Sequence, residues 1–268
     1  MAHLAVPGPF DLALTTERFR AFGVDRANVW HEGGLHRVVG GREVRIETAP
    51  GGVDVEPLDA ETEPAVRLLL GLVFELGPFY DWAERDEVLG RATKRLAGFR
   101  PTLAPDPFEM LVGAITAQQV SLYAAVAIRN RMIERFGRRI GNVWEFPSRA
   151  RLAAAGEDEL LAVGFSRRKA EYTIGLARSP LDLDALASLP DDEVKARIVS
   201  QRGLGEWTAE WFLARHLARP YARPWGDLAL RKAVADLYGG LDVREARERF
   251  HPFENLSAHY LLLAHRVP

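Results

Sequence analysis

Along the chain the spacing of hydrophobic positions changes period. Between Asn28 and Pro57 they alternate with polar ones in short stretches, Leu35–Val39, Glu43–Glu47 and Val53–Glu56, set apart by Gly-Gly pairs at 33–34, 40–41 and 51–52. Alternation with period two describes half-buried strands, and Gly-Gly supplies the positive φ of tight hairpin turns. A small antiparallel sheet is predicted there. From Ala60 to about Leu76 the spacing turns helical, with Val66, Leu69, Leu70 and Val73 on one face, as in a helix that covers the sheet. Beyond residue 84 no stretch reads as a strand.

The proline-rich connector Arg100–Pro107 ends in a helix start: Asp106 can cap, Pro107 suits the first helical position, and Glu109 is spaced to complete a capping box. That helix carries Phe108, Leu111, Val112 and Ile115 on one side to about Gln118. A second helix runs from near Ser121 to Gly137, which makes Gln118-Gln119-Val120 the joint between the two. Further helices are predicted at about 148–155, 157–163, 166–178, 191–200, 207–218, 227–238 and 244–250, with another from about Ser257. Ser148, Ser166 and Asp191 serve as caps and Gly156, Gly164 and Gly239 as stops. The fold class is α+β, with a sheet-plus-helix domain over 1–84 and an all-helical region over 85–268.

Composition narrows the chemistry. A chain of 268 residues, 47% hydrophobic, buries a substantial core. The absence of cysteine excludes disulfides, thiol nucleophiles, thiolate zinc sites and iron–sulfur clusters. Seven scattered histidines lack the spacing of a zinc helix, so no cofactor is expected. The first ten residues have neither a basic leader nor an apolar core, and no run of eighteen apolar residues occurs, so a soluble, cytoplasmic protein without membrane contact is expected. The net charge is −2, unevenly spread: residues 43–63 are acidic, while 129–139 hold Arg129, Arg131, Arg135, Arg138 and Arg139 against Glu134. That second segment reads equally as a basic face or as a solvated helix surface.

Two motifs carry specific chemistry. Gly203-Leu204-Gly205 joins two helices, and the second begins with exposed N–H groups behind no bulky side chain, an arrangement that holds a phosphate. Alone, the same glycines describe any tight turn. Twenty residues after Trp207 comes Trp225-Gly226-Asp227-Leu228, where Asp227 opens a helix and, alone, is a cap.

Together, Gly203-Leu204-Gly205-Glu206-Trp207-Thr208-Ala209 and Gly226-Asp227 at this spacing resemble the helix-hairpin-helix DNA glycosylase superfamily, in its 3-methyladenine DNA glycosylase II branch. Gln118-Gln119-Val120-Ser121 and Arg168-Lys169-Ala170 add to the resemblance, which covers about 105–265, with the hairpin at about 191–218. The layout of the N-terminal sheet also resembles the TATA-binding-protein-like domain of that branch.

The resemblance implies a monomeric enzyme of base excision repair that acts on double-stranded DNA with a damaged base. A base within the stack is out of reach, so the nucleotide must rotate into a pocket. Gly203, Gly205, Trp207 and Thr208 would hold a backbone phosphate, and the carbonyls of Val199, Gln201 and Leu204 a structural Na+ or K+. Asp227 would stabilise the positive sugar as the base departs. Trp207 and Trp211, one turn apart, would offer an aromatic wall to an electron-poor alkylated purine, with Gln118 beside them. Gln119 would fill the gap left by the flipped base, where relatives can carry an apolar wedge.

Other departures are Arg202 for a proline before the hairpin, Leu228 for an aromatic after the aspartate, and Ala264 and His265 where an aromatic pocket wall is expected. The nearest alternative is a bifunctional glycosylase and lyase, which needs a hairpin lysine where this chain has Trp207. Of Lys169 and Lys232, the first sits beside Arg167 and Arg168, suggesting phosphate contact. A non-catalytic hairpin protein that only binds DNA is the third reading, and Asp227 at this spacing argues against it.

Overall fold

The computed structural model describes residues 1–244 and 247–267. Its first unit is a five-stranded antiparallel sheet of β1 (Ala2–Ala5), β2 (Asn28–His31), β3 (Gly34–Val39), β4 (Arg42–Ala49) and β5 (Gly52–Glu56), in the order β1-β5-β4-β3-β2. The Gly40–Gly41 turn has φ of 56° and 72°, which lets Val39 pair with Arg42 at once. One face buries Leu4, Leu35, Val44, Ile46, Val53 and Val55 in a core shared with Leu12 of the short helix α1 (Leu12–Thr15), with Val66 and Leu69 of helix α2 (Glu63–Leu69) and with Leu70 just past its end. The outer strands β1 and β2 escaped the sequence reading because four-residue strands carry too few positions for alternation to register.

The predicted helix over 60–76 is shorter than expected. It ends at Leu69, Gly71 follows with φ 64°, and Val73 is 49% exposed. A new helix α3 (Leu76–Ala83) then turns away and packs with α4 (Glu87–Arg95), α12 (Leu228–Leu237) and α13 (Glu254–Arg266) around Phe79, Leu89, Phe250 and Tyr260. A separate core, with Leu111, Ile133, Phe165, Ile198 and Phe212, is built by α5 (Pro107–Ala117), α6 (Leu122–Phe136), α7 (Arg149–Ala153), α8 (Glu157–Ala162), α9 (Arg167–Arg178), α10 (Asp191–Val199) and α11 (Glu206–Arg215). The fold is α+β, and no helix among the described residues is long and apolar enough to cross a membrane.

The region after residue 84 is not free of strands. A hairpin of β6 (Arg138–Ile140) and β7 (Val143–Glu145) lies against β3, with Trp144 N donating to Arg26 O at 2.9 Å and Asn142 N to Glu43 at 3.3 Å. Three-residue strands of this kind are stabilised by the sheet they cover, a tertiary cause that local spacing does not encode. The arginines of 129–139 are likewise used internally: Arg131 donates to Val163 O, Arg135 pairs with Glu159, Arg138 with Glu145, and Arg139 donates to Gly141 O.

Glu109 does not complete the capping box. Asp106 caps α5 alone, accepting from Glu109 N at 2.7 Å, while the Glu109 carboxylate is buried between Arg37 (2.5 Å) and Arg129 (2.6 Å), and Arg129 also meets Asp25 at 2.7 Å. Burial alone would raise the Glu109 pKa, but the two guanidinium groups hold it below the ordinary value. These four residues lock β3 and the loop before β2 onto α5 and α6.

Ser148 and Ser166 cap α7 and α9, whereas at α10 the cap position is Pro190, one residue before Asp191. Helix α13 starts at Glu254 rather than Ser257. Of the helix predicted at 244–250, residues 247–250 form a short 3-10 turn; residues 245 and 246 lie outside the described residues, as does Pro268.

Candidate active site

The hairpin between α10 and α11 is shaped by its first glycine. Gly203 has φ 87°, and a Cβ there would come within 2.2 Å of the Tyr172 ring, so conformation and close approach both require glycine. Gly205 is the cap of α11, exposed, with no atom within 4 Å of where a Cβ would point. No side chain at position 205 therefore stands in front of the first turn of the helix. Thr208 contributes only its backbone there, since its side chain is buried at 1% exposure. Gln118 lies against the same hairpin: its Nε2 donates to Gly203 O at 2.8 Å, which makes it a strut for the turn.

Asp227 stands at the start of α12 and has both oxygens engaged. Oδ1 accepts from Leu230 N at 3.0 Å, the cap bond. Oδ2 accepts from Trp207 Nε1 at 2.8 Å and Trp211 Nε1 at 3.0 Å. The two indoles, one turn apart on α11, thus grip a single carboxylate oxygen and fix its direction. Trp211 is 1% exposed, so its ring offers no open stacking surface; Trp207 is half-buried. The expected wall of two stacking indoles is therefore reduced to Trp207.

The loop that delivers Asp227 is held by residues that the sequence reading did not single out. Glu210, on α11, accepts from Arg223 N at 2.7 Å, the Arg223 side chain pairs with fully buried Glu254 at 2.8 Å, and Trp225 is buried against Phe250. The available signal was Glu210 itself, an acid inside the apolar run Ala209 to Ala214.

Further residues surround Trp211. The Arg215 guanidinium carbon lies 3.6 Å from its ring centre, and His259 meets it edge-on at 5.6 Å. Burial, with added repulsion from Arg18 and Arg266 that Asp227 partly offsets, brings Arg215 down to about 9. Burial, then Arg215 and Arg18, push the His259 imidazole well below its ordinary value, so the ring is neutral.

Other predicted positions fall elsewhere. Lys169 is buried and donates to Thr116 O at 2.8 Å, tying α9 to α5 instead of meeting phosphate, and burial lowers its pKa. Lys232 pairs with Asp236 at 2.6 Å. Ala264 is buried in the helical core, His265 pairs with Asp236, and Leu228 is 75% exposed. Gln119 has φ 55° at the joint of α5 and α6, a left-handed conformation uncommon for a residue with a side chain. Its exposed neighbours are Val120, Leu122 and Tyr123.

A family model described as "HhH-GPD superfamily base excision DNA repair protein" matches residues 112–255. The chain is 31% identical over 149 residues to DNA-3-methyladenine glycosylase of Bacillus subtilis, covering 53% of this chain and 49% of that one. It is 32% identical over 167 residues to DNA-3-methyladenine glycosylase 2 of Escherichia coli, covering 59% and 58%. The matches thus span only about half the length of these relatives. Among solved structures, 3-methyladenine DNA-glycosylase from Archaeoglobus fulgidus superposes with a TM-score of 0.89 at 29% identity, covering 99% of this chain and 98% of that one.

Proposed function

Because this chain belongs to the HhH-GPD superfamily of base excision DNA repair proteins, we propose that it is a monofunctional DNA glycosylase, which releases alkylated bases from double-stranded DNA by hydrolysis. The observation that carries the reading is the Asp227 carboxylate held by two indole N–H groups, together with a hairpin in which no atom lies within 4 Å of where a Cβ on Gly205 would point.

The hairpin amides of Gly203, Gly205 and Trp207 bind a phosphate and the positive end of the α11 dipole favours it, so the nucleotide beside it can rotate out at a cost of a few kcal/mol. Gln119 fills the vacated space. As the glycosidic bond breaks, positive charge develops on the sugar, and Asp227 stabilises it. Indole donors keep that carboxylate an acceptor with a fixed orientation, so little reorganisation accompanies the reaction. Water then adds to the anomeric carbon.

The carbonyls of Val199, Gln201 and Leu204 suit a hard monovalent cation, which would stiffen the hairpin without entering the chemistry. No side-chain amine is assigned an attack on the sugar: Trp207 stands at the hairpin position from which relatives deliver a lysine, Lys169 is buried, and Lys232 is paired.

The test is a panel of duplexes, each with one lesion (3-methyladenine, 1-methyladenine, 7-methylguanine, hypoxanthine, uracil or 8-oxoguanine), incubated with and without borohydride. Released base with an unbroken strand is expected. A covalent protein–DNA adduct, or strand breaks without alkali, would establish a lyase; binding with no base released from any duplex would leave a non-catalytic hairpin protein.

A further inference from the structure

The joint between α5 and α6 exposes Val120, Leu122 and Tyr123, directly after Gln119. Single exposed hydrophobic side chains are ordinary on a surface, but three within four positions make an apolar patch. The patch is anchored at both ends. At its start Gln118 donates through Nε2 to Gly203 O at 2.8 Å, which ties the joint to the hairpin. At its end Tyr123, though 66% exposed, rests against Phe22, with the two rings 5.5 Å apart and at 84°.

Phe22 is itself held in place. It belongs to the loop between the 3-10 turn Glu17–Phe19 and β2, and that loop is fastened along α6. Asn130 donates to Val24 O at 2.6 Å and accepts from Arg26 N at 3.1 Å, and Arg26 pairs with Glu134 at 2.6 Å. The Arg266 guanidinium carbon, at the end of α13, lies 5.3 Å from the Phe22 ring centre. The edge-to-face contact with Phe22 fixes the orientation of the Tyr123 ring and leaves most of its surface open. Little rotamer freedom then remains to be lost when another ring stacks on it.

What the ring meets follows from where the joint lies. On the glycosylase reading the hairpin holds the lesion strand, and Gln119, beside it, enters the gap left by the flipped nucleotide. Its amide can hydrogen-bond there but does not replace the stacking that the vacated base supplied. Tyr123 is four residues further on and leans on Phe22 of the N-terminal unit, so the joint stands between the hairpin and the tyrosine. Across the joint from the lesion strand, the complementary strand presents the base that flipping has left unpaired. Any nucleobase stacks on an aromatic side chain, because each has a π-face. A protein partner could cover the same patch, but its continuity with the hairpin through Gln118 favours DNA.

We propose that Tyr123 is a stacking platform for the base opposite the lesion, with Leu122 extending its apolar surface. This assignment rests on the glycosylase reading. It gives the undamaged strand a contact of its own, which neither the hairpin nor Asp227 supplies. Tyr123 belongs to none of the three cores, so its truncation is compatible with folding.

The experiment compares three duplexes: one with an abasic-site analogue opposite 2-aminopurine, one in which the opposite position is abasic as well, and one undamaged. Affinity and 2-aminopurine fluorescence are measured with wild type, Tyr123→Ala and Tyr123→Phe. Tyr123→Ala is expected to weaken binding of the singly abasic duplex by about tenfold, the loss of one base–aromatic stack, and to raise the fluorescence of bound 2-aminopurine, which stacking quenches. Tyr123→Phe, which keeps the ring, should recover most of both. On the doubly abasic duplex, with no opposite base to stack, the alanine penalty should vanish. A penalty equal on both abasic duplexes would place Tyr123 on a flanking base or on the backbone and overturn the proposal. So would unchanged affinity and fluorescence in Tyr123→Ala, which would leave the patch to a protein partner. A wild type that binds neither abasic duplex more tightly than the undamaged one, and releases no base from the lesion panel, would defeat the glycosylase reading and this proposal with it.

Discussion

At the seam of β3, α5 and α6, Glu109 accepts from both Arg37 and Arg129, and Arg129 also donates to Asp25, so two buried and two partly buried charges meet opposite charges within 2.5–2.7 Å. Beside Asp227 the accounting differs. The carboxylate is held by neutral indole donors, while the Arg215 guanidinium and His259 Nε2, around the ring of Trp211, have no hydrogen-bond partner among the described residues. Removing either partner of the first set leaves a buried charge unanswered, and the cost falls on the fold. In the second set the unanswered groups exist already, and the site becomes complete only when a substrate brings the complementary atoms. Saturated charge builds the scaffold, and unsaturated charge marks where chemistry is expected.

The largest effect is expected from Asp227→Asn. Asparagine is as good a helix cap as aspartate, so α12 should still start at Leu228. It has, however, one carbonyl oxygen for the three donors that Asp227 serves, and it carries no charge. Base release should fall on the order of a thousandfold while affinity for an abasic duplex changes less than tenfold, since the charge acts mainly in the transition state. A mutant that excises at near wild-type rate would remove Asp227 from the mechanism.

Glu109→Gln tests the saturated side. The substitution leaves Arg37 and Arg129 buried without their shared carboxylate, and a loss of about 3 kcal/mol in unfolding free energy is expected at neutral pH. Acid should reveal the same pair in the unmutated chain. Because the folded pKa of Glu109 lies below its ordinary value of 4.5, its contribution is complete above 4.5 and is lost as pH falls through the lower, folded value. Urea unfolding at a series of pH values reads both: the mutant should be less stable at pH 7 and show a shallower loss between pH 5 and 3. Parallel curves would mean that the seam does not couple to Glu109 ionisation.

How far the sequence carried each region follows from what kind of contact built it. Period-two alternation located β3, β4 and β5, and caps such as Asp106, Ser148 and Ser166 located helix starts, because these signals lie within a few residues of the structure they cause. The hairpin over 138–145 and the burial of Glu109 were invisible, since both depend on a partner tens of residues away in the sheet. At the site, the motif spacing placed Asp227 and the hairpin together, but it did not say that Trp207 and Trp211 point their N–H groups at the aspartate. A tryptophan pair on one helix face reads as an aromatic wall until the acceptor is located in space.

The smallest expected effect sharpens how the carboxylate is held. Trp211→Phe keeps a buried aromatic of similar shape, so the core around Phe212 and the hairpin should survive, but it deletes the 3.0 Å bond to Asp227 and leaves Trp207 as the remaining indole donor. A hydrogen bond to a charged group contributes about 1.5–3 kcal/mol. Part of that loss falls on substrate-free enzyme as well as on the transition state, so the rate should drop by about tenfold rather than by the full amount. Trp207→Phe should cost at least as much, because its ring is half-buried and its bond is shorter at 2.8 Å. With both indoles replaced, Asp227 is free to turn on its cap bond, and the combined loss should exceed the sum of the two single losses. Single-turnover rates of the three variants measure this directly. An additive pair would mean that each indole acts separately, and an unchanged Trp211→Phe rate would assign that residue to core packing alone.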